Sequence, residues 1–191
     1  LHSPPTTRPH RVCLRRFYDA RHGVYHVMFQ SHISLPNGGV GRGPVFGHCV
    51  SRDLAHWAKV DVAVWNDQPY DDVAIYTGST TIVNGTPTIV YPGLCAPKPS
   101  YPQCDGNQDH CHLAAAVPSN ASDPLLRNWS KPSFNPLVNS TQRDPSSAWR
   151  TPAGEWRMVT LDTTVYGSMD FTHWYTIGPQ AGFHQGECQS F

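Results

Sequence analysis

Residues 51–57, Ser-Arg-Asp-Leu-Ala-His-Trp, return at residues 168–174 as Ser-Met-Asp-Phe-Thr-His-Trp. The two copies share Ser, Asp, His and Trp at the same offsets, and residues 122–129 (Ser-Asp-Pro-Leu-Leu-Arg-Asn-Trp) form a looser third copy. In each copy a polar turn leads into a large aromatic residue, which is typical of a turn between two strands. The spacing of the copies leaves room for one four-stranded sheet each and predicts a β-propeller with similar turns joining its blades. Coincidence between common Ser-x-Asp turns is the alternative.

The composition favours a single all-β domain with a real core. The chain has 191 residues, of which 39% are hydrophobic and only 15% charged, with 18 prolines and 15 glycines. This balance disfavours long surface helices and favours short strands joined by tight turns. The formal net charge is zero, so we expect a neutral ligand and no nucleic-acid partner. No apolar run approaches the roughly twenty residues that span a bilayer, so we expect no membrane insertion.

Strand signals begin near residue 17 and continue to the end of the chain. Residues 1–16 are proline-rich without a clean period and are predicted to be an irregular arm, followed by one β-domain over residues 17–191. Asn84-Gly85 stands between two β-branched runs and predicts a tight hairpin. Further strands are predicted over residues 46–50, 62–65, 73–79 and 112–117, and a hairpin between residues 147–149 and 156–160.

Sequons and cysteines indicate a secreted or vacuolar protein. Four Asn-x-Ser/Thr sequons are predicted glycosylation sites, namely Asn84, Asn120, Asn128 and Asn139. Six cysteines are compatible with an oxidising compartment. Among them, Cys95, Cys104 and Cys111 lie close to His110 and His112, but spacings of nine and seven residues do not fit the short Cys pairs of structural zinc sites. We therefore predict a disulfide between two of these three cysteines, no metal and no cofactor.

Two carboxylates stand in unusual surroundings. Asp144 lies between Arg143 and Pro145, where the guanidinium is a charge-assisted partner that would keep the carboxylate ionised. Glu187 lies in an uncharged stretch, where desolvation would raise its pKa toward that of a general acid. A surface Arg-Asp turn and a solvated Glu are the respective alternatives. Together the two supply most of what a two-carboxylate sugar hydrolase needs.

The chain resembles glycoside hydrolase family 32, the invertases and fructan hydrolases, in several of the stretches described above. The matching stretches are residues 25–30, 47–57, 76–79, 122–129, 143–145 and 186–188. The resemblance implies a five-bladed propeller with a central pocket, of which about the first three blades are expected here. It implies that Asp144 is the transition-state stabiliser and Glu187 the acid/base. It also implies that Gln30, Ser79 and Arg143 line a site for a fructose-containing sugar.

The chain departs from the family pattern at the nucleophile. The family's Asn-Asp-Pro-Asn-Gly motif would place an Asp at position 12, where this sequence has Val12. The resemblance therefore implies ancestry among β-fructofuranosidases that use a retaining mechanism, without activity of the chain as written. The alternative is a non-catalytic sugar-binding or structural subunit, for which a partner chain covers the open propeller edges.

Overall fold

The computed structural model describes residues 15–32, 43–107 and 109–186, which contain fourteen β-strands and no helix. No helix within these ranges is therefore long and apolar enough to cross a membrane. The strands are β1 Arg15–Asp19, β2 Val24–Ser31, β3 Val45–Ser51, β4 Ala58–Val64, β5 Ala74–Ile75, β6 Ser79–Val83, β7 Thr86–Leu94, β8 Cys111–Pro118, β9 Trp129–Ser130, β10 Val138–Thr141, β11 Trp149–Arg150, β12 Trp156–Val159, β13 Thr164–Ser168 and β14 Tyr175–Pro179.

These strands form three consecutive antiparallel sheets. The first has the order β1-β2-β3-β4 and the third the order β11-β12-β13-β14. In the middle sheet β7 and β8 are central, β5 and β6 both pair with β7, and β9 and β10 both pair with β8. Each outer strand of the middle sheet is thus split into two pieces, and every sheet is four strands wide.

The strand predicted over residues 73–79 is interrupted between β5 and β6. Gly78 lies so close to the neighbouring strand that an added Cβ would be 2.1 Å from the carbonyl oxygen of Val90. The backbone leaves the regular ladder there, although the Tyr76 amide still donates to the Pro92 carbonyl at 2.9 Å. The first sheet begins two residues before the predicted domain boundary, because Arg15 and Arg16 of β1 pair with Met28 and Val27 of β2.

The two predicted hairpins are confirmed. Asn84 and Gly85 have φ values of 49° and 80°, the left-handed conformations that a two-residue hairpin turn needs. They join β6 to β7, with Val83 opposite Thr86. In the third sheet Trp149 lies opposite Arg157 across the turn between β11 and β12.

The repeated motif folds into the same turn three times. Each copy connects the third strand of a sheet to its fourth, so the turns lie inside the blades and do not join one blade to the next. In every copy the Trp indole donates to the carbonyl three residues earlier, and that earlier residue has a positive φ of 44–71°. These pairs are Trp57 with Leu54, Trp129 with Leu126 and Trp174 with Phe171.

The outer copies share their hydrogen bonds nearly atom for atom. Ser51 Oγ accepts from the Leu54 amide at 2.8 Å, and Ser168 Oγ accepts from the Phe171 amide at the same distance. The Asp of each copy accepts from the His amide at 2.8 Å and contacts the His Nδ1 at 2.7 Å. In the middle copy Arg127 replaces His and binds the carboxylate of Asp123. The shared residues of the motif are therefore explained by turn formation.

The middle sheet is buried on both faces. Because side chains alternate along its strands, successive residues belong to two different core clusters. One core cluster contains Ile89, Tyr91, Ala114 and Ala116 of β7 and β8 together with Met28, Phe46, Ala63, Val64, Tyr70 and Ile75. The intervening residues Val90, Leu113 and Ala115 belong to a second cluster with Leu137, Trp156, Met158, Tyr166 and Phe171. The three sheets are therefore packed face to face in chain order.

Candidate active site

The segment carrying Asp144 runs from β10 to β11 and is hydrogen-bonded on one side of that residue to β12 and on the other to Leu161, just after β12. The Leu161 amide donates to the Arg143 carbonyl at 3.0 Å, and the Ser146 amide donates to the Val159 carbonyl at 2.8 Å. Asp144 itself is 4% exposed and has a φ of 58°. Asp is one of the few residue types that tolerate this left-handed conformation. The backbone thus holds a buried carboxyl group in a defined position, although Asp144 is not part of a strand.

Ser79 connects the middle sheet to this segment. It is the first residue of β6, is 1% exposed, and donates its hydroxyl to the Ser146 carbonyl at 2.7 Å. Ser79 and Asp144 are therefore held close together, as expected for residues that line one site. The hydroxyl proton of Ser79 is committed to the backbone, so this side chain would offer a ligand only its oxygen lone pairs.

Arg143 forms an ion pair that the sequence did not predict. Its Nη1 lies 3.6 Å from Oδ1 of Asp109, in the segment before β8. The thiol of Cys111 lies in the same electrostatic environment: burial raises its pKa to about 12, Arg143 lowers it, and Asp144 and Asp109 raise it further. Cys111 is therefore a neutral, fully buried thiol beside the Arg-Asp-Pro motif.

Tyr76 completes the group of side chains around Arg143. Burial raises the pKa of its phenol, the neighbouring Cys111 adds to the increase, and Arg143 opposes it. A depression of about 420 Å³ opens beside Tyr76, lined also by Gly43, Pro44, Asp72 and Ala96 among others. This volume lies in the range of small-ligand pockets, but Gln30, Ser79, Arg143 and Asp144 do not line it. The sequence offered a signal for Tyr76, which opens the Tyr-Thr-Gly-Ser stretch, but none for Asp109.

Gln30 lies near the end of β2 in the first sheet. It is opposite Phe46, one pair from the start of β3, and is half-buried. The residue before β3, Pro44, accepts from the Ile75 amide at 2.8 Å, which brings this edge next to β5 and Tyr76. Ser79 is thus tied to the segment that carries Arg143 and Asp144, whereas Gln30 lies in the strand pair that contacts β5 through Pro44. Glu187 and Val12 lie outside the described residues.

The predicted disulfide is buried beside the middle sheet, and the sequons lie in that sheet and its turns. Cys95 and Cys104 are bridged, with their Cα atoms 5.5 Å apart, which confirms the prediction of a bond within this group. All four sequon asparagines are exposed, and their glycosylation stays a prediction.

A sequence profile decides the family. The profile of the "Glycosyl hydrolases family 32 N-terminal domain" matches residues 18–188. The chain belongs to glycoside hydrolase family 32. Its relatives include the β-fructofuranosidase insoluble isoenzyme 1 of Daucus carota, 35% identical over 188 residues, and the β-fructofuranosidase cell wall isozyme of Zea mays, 37% identical over 169 residues. These matches cover 88% and 80% of this chain but only 30% and 26% of the relatives.

Solved structures of the family share the fold. Fructan 1-exohydrolase IIa from Cichorium intybus superposes with a TM-score of 0.70 at 28% identity, covering 96% of this chain and 37% of that enzyme. A fructofuranosidase from Schwanniomyces occidentalis, 19% identical, superposes with a TM-score of 0.66 over 93% of this chain and 36% of that protein. The three sheets of this family 32 chain are therefore blades of a five-bladed β-propeller, present here in part. The chain spans roughly a third of the length of the proteins it matches.

Proposed function

We propose that this chain forms the part of a β-fructofuranosidase-type propeller that binds a fructosyl group, with Asp144 and Glu187 as its ancestral transition-state stabiliser and acid/base. The observation that carries the proposal is the placement of Asp144. It is buried, its segment is hydrogen-bonded to β12 on one side and to Leu161 on the other, and Ser79 donates to the Ser146 carbonyl of the same segment. A variant of the Cichorium enzyme was solved in complex with 1-kestose, which supports a fructose-containing sugar as the ligand.

The proposed roles follow from the chemistry of retaining glycosidases. Such enzymes use one carboxylate as the nucleophile and a second carboxyl group as the acid that protonates the leaving oxygen. We assign the acid role to Glu187. Asp144 accepts hydrogen bonds from sugar hydroxyls that strengthen as positive charge develops on the ring. Arg143, with its charge balanced by Asp109, and the side chains of Gln30 and Ser79 orient the sugar.

The missing nucleophile limits the reaction that we propose. Val12 stands where the family pattern has its nucleophilic Asp, and none of Arg11, Cys13, Leu14 and Arg15 offers a carboxylate. Without that group the covalent intermediate cannot form, and the rate falls by several orders of magnitude. We therefore propose that the chain as written binds fructosides and does not hydrolyse them at a useful rate. The second candidate function is a non-catalytic sugar-binding subunit. Val12 at the position of the nucleophilic Asp favours this function as well.

We propose that the protein is extracellular or vacuolar and that a further blade or a partner chain covers its exposed sheet edge. The Cys95–Cys104 disulfide and the four exposed sequons support a secretory route, and one relative is named a cell wall isozyme. Strand β14, the outer strand of the third sheet, is largely exposed, with Tyr175 51% and Ile177 38% accessible. An apolar strand at a sheet edge is a surface that a further blade or a partner chain would cover.

Hydrolysis and binding assays on the same protein test both statements. We expect fructose to bind in a calorimetric titration, with an affinity that falls about 10- to 100-fold in Asp144→Asn, because a charge-assisted hydrogen bond becomes a neutral one. Asp61→Asn, which changes an exposed carboxylate on β4, is the matched control and should leave the affinity unchanged. With sucrose, inulin or 1-kestose we expect no useful release of fructose.

Two results would contradict the proposal. Turnover above about 1 per second that disappears in Glu187→Gln would show that another group supplies the nucleophile. Absence of any fructose or 1-kestose binding by the folded wild-type chain would remove the sugar-binding function itself. The two outcomes are separable, because the first concerns the bond-breaking step and the second the site.

A further inference from the structure

The candidate for a second site is a buried group of two sulfurs and one imidazole. Cys95 directly follows β7, and His112 is the second residue of β8, opposite Gly93 of β7. The loop after β7 then returns through tight turns at Lys98 and Tyr101, so that Cys104 reaches the same position. The two Sγ atoms and a ring nitrogen of His112 all lie within 4.8 Å of one another.

His112 is held in a state suited to metal binding. The residue is fully buried, and its Nδ1 lies 3.0 Å from Oδ1 of Asn139, an acceptor that fixes the proton on Nδ1. The ring of Tyr101 packs edge-on against it at 5.7 Å. Its Nε2 is buried and has no hydrogen-bond partner among the described residues. A buried polar atom without a partner is costly, and this one carries a free lone pair.

The hydrogen bond to Asn139 matches the arrangement of metal-bound histidines. Neutral imidazole is the form that binds metals, and metal-bound histidines commonly donate their second ring N–H to a carbonyl or carboxylate oxygen. Asn139 occupies that second position here.

We infer that, once the Cys95–Cys104 disulfide is reduced, Cys95, Cys104 and His112 form a binding site for a thiophilic divalent cation of the zinc class. Tetrahedral zinc has Zn–S bonds of about 2.3 Å and Zn–N bonds of about 2.0 Å, which place neighbouring ligand atoms roughly 3.5–3.8 Å apart. The ligand atoms here already lie within 4.8 Å, so small side-chain movements suffice. The three protein ligands leave the fourth position open to water.

The chemistry separates into two balanced steps. A dithiol or phosphine reductant first supplies two electrons, and with two protons it converts the disulfide into two thiols. The cation then replaces both thiol protons, which go to solvent, and the lone pair of His112 Nε2 forms the third bond. Cys95 and Cys104 are 2% and 6% exposed, and buried thiolates without a cation are unfavourable, so binding should be strongest at neutral to alkaline pH.

Cobalt(II) is the probe, because thiolate-bound tetrahedral cobalt has a near-ultraviolet charge-transfer band and strong visible bands. We expect the full chain, reduced with a phosphine that is then removed anaerobically, to bind one Co²⁺ with these bands, and the oxidised chain to show none. His112→Phe should weaken the binding at least tenfold, and Cys95→Ser, which leaves Cys104 as the one thiolate ligand, should weaken the charge-transfer band by about half. His110→Phe changes an exposed neighbouring histidine and is the matched control.

Several outcomes would overturn the inference. They are a reduced chain that has gained two titratable thiols but shows no cobalt band, an unchanged affinity in His112→Phe, and a band of unchanged intensity in Cys95→Ser, which would belong to other cysteines. Near-ultraviolet circular dichroism verifies folding of each variant. If His112→Phe does not fold, comparison of oxidised with reduced wild type and of Cys95→Ser with wild type decides the question.

Discussion

A buried pair of histidines makes the stability of the first sheet depend on pH. His26 on β2 and His48 on β3 are both 0% exposed, and Nδ1 of His26 lies 2.9 Å from Nε2 of His48. The ring of Phe17 stacks on His26 at 4.7 Å. The other nitrogen of each ring has no hydrogen-bond partner within the described ranges. A proton on either ring would therefore be poorly solvated.

Burial is the main cause of two low pKa values. It lowers the pKa of His26 to about 4, against the opposing charges of Asp19 and Asp123 and with a further decrease from His22. It lowers the pKa of His48 to about 3, with His26 adding to the decrease and Asp123 opposing it. The ordinary histidine value is 6.5, so in acid the unfolded chain takes up these protons well before the folded chain does.

The difference in histidine pKa between the folded and the unfolded chain sets how the free energy of unfolding changes with pH. Stability from the neutral pair is fully present above about pH 6.5 and is lost as the pH falls from there toward 4 and 3. At pH 5 the unfolded imidazoles are mostly protonated and the folded ones are not. Each histidine then costs about 2 kcal/mol relative to pH 7.5, or about 4 kcal/mol for the pair. The carboxylates with lowered pKa values, such as Asp53 and Asp170, stay ionised in this window.

Urea unfolding followed by tryptophan fluorescence at pH 7.5 and pH 5.0 measures this quantity. We expect wild type to lose about 4 kcal/mol more between the two pH values than the double variant His26→Phe/His48→Met, in which neither side chain titrates. His56→Asn changes a histidine whose side chain is 91% exposed, and it should keep the wild-type pH dependence. Equal pH dependence in wild type and the double variant, within about 1 kcal/mol, would refute the assignment of the effect to this pair.

Two further predictions concern a buried ion pair and the repeated turn. Lys131→Met should lower the free energy of unfolding by about 3–5 kcal/mol, since it leaves fully buried Asp71, 2.6 Å from Lys131 Nζ, as an uncompensated charge. Asp67→Asn removes the 62% exposed partner of the same lysine and should cost under about 1 kcal/mol; similar losses in both variants would contradict this reasoning. Leu54→Gly should stabilise the chain by up to about 1 kcal/mol, because Leu54 is 52% exposed at a φ of 64°. Phe171→Gly changes the equivalent position, 4% exposed, and should instead destabilise by about 3–5 kcal/mol; chemical denaturation measures both, and a destabilised Leu54→Gly would show that φ does not limit stability there.

The features that the sequence predicted are those set by short-range chemistry. Asn84-Gly85 has few alternatives to a tight hairpin, and the Ser, Asp and Trp of the two outer copies form their hydrogen bonds within seven residues. The Arg143-Asp144-Pro145 stretch could be recognised because it is contiguous. A contiguous motif identifies its residues without stating what surrounds them.

The features that the sequence did not predict depend on register between distant segments. His26 and His48 meet only because β2 pairs with β3 such that Met28 lies opposite His48, and a shift of one residue would separate them. The ion pair of Arg143 with Asp109 joins two loops, and no local pattern marks it. The gap between β5 and β6 reflects the close approach of Gly78 to Val90, a contact between strands that the period-two pattern of residues 73–79 does not contain.

The start of β8 places the two proposed sites on opposite sides of one strand. Cys111 interacts with Arg143 and Asp144, whereas the next residue, His112, contacts Asn139 and lies beside the disulfide, because successive side chains point to opposite faces. This part of β8 is paired on both edges, with Gly93 of β7 and with Thr141 of β10, so it cannot easily transmit a displacement. The covalent route between the sites is instead the segment from Cys104 to Cys111, which carries Asp109. A change at the disulfide would therefore reach Arg143 of the proposed sugar site most directly through Asp109.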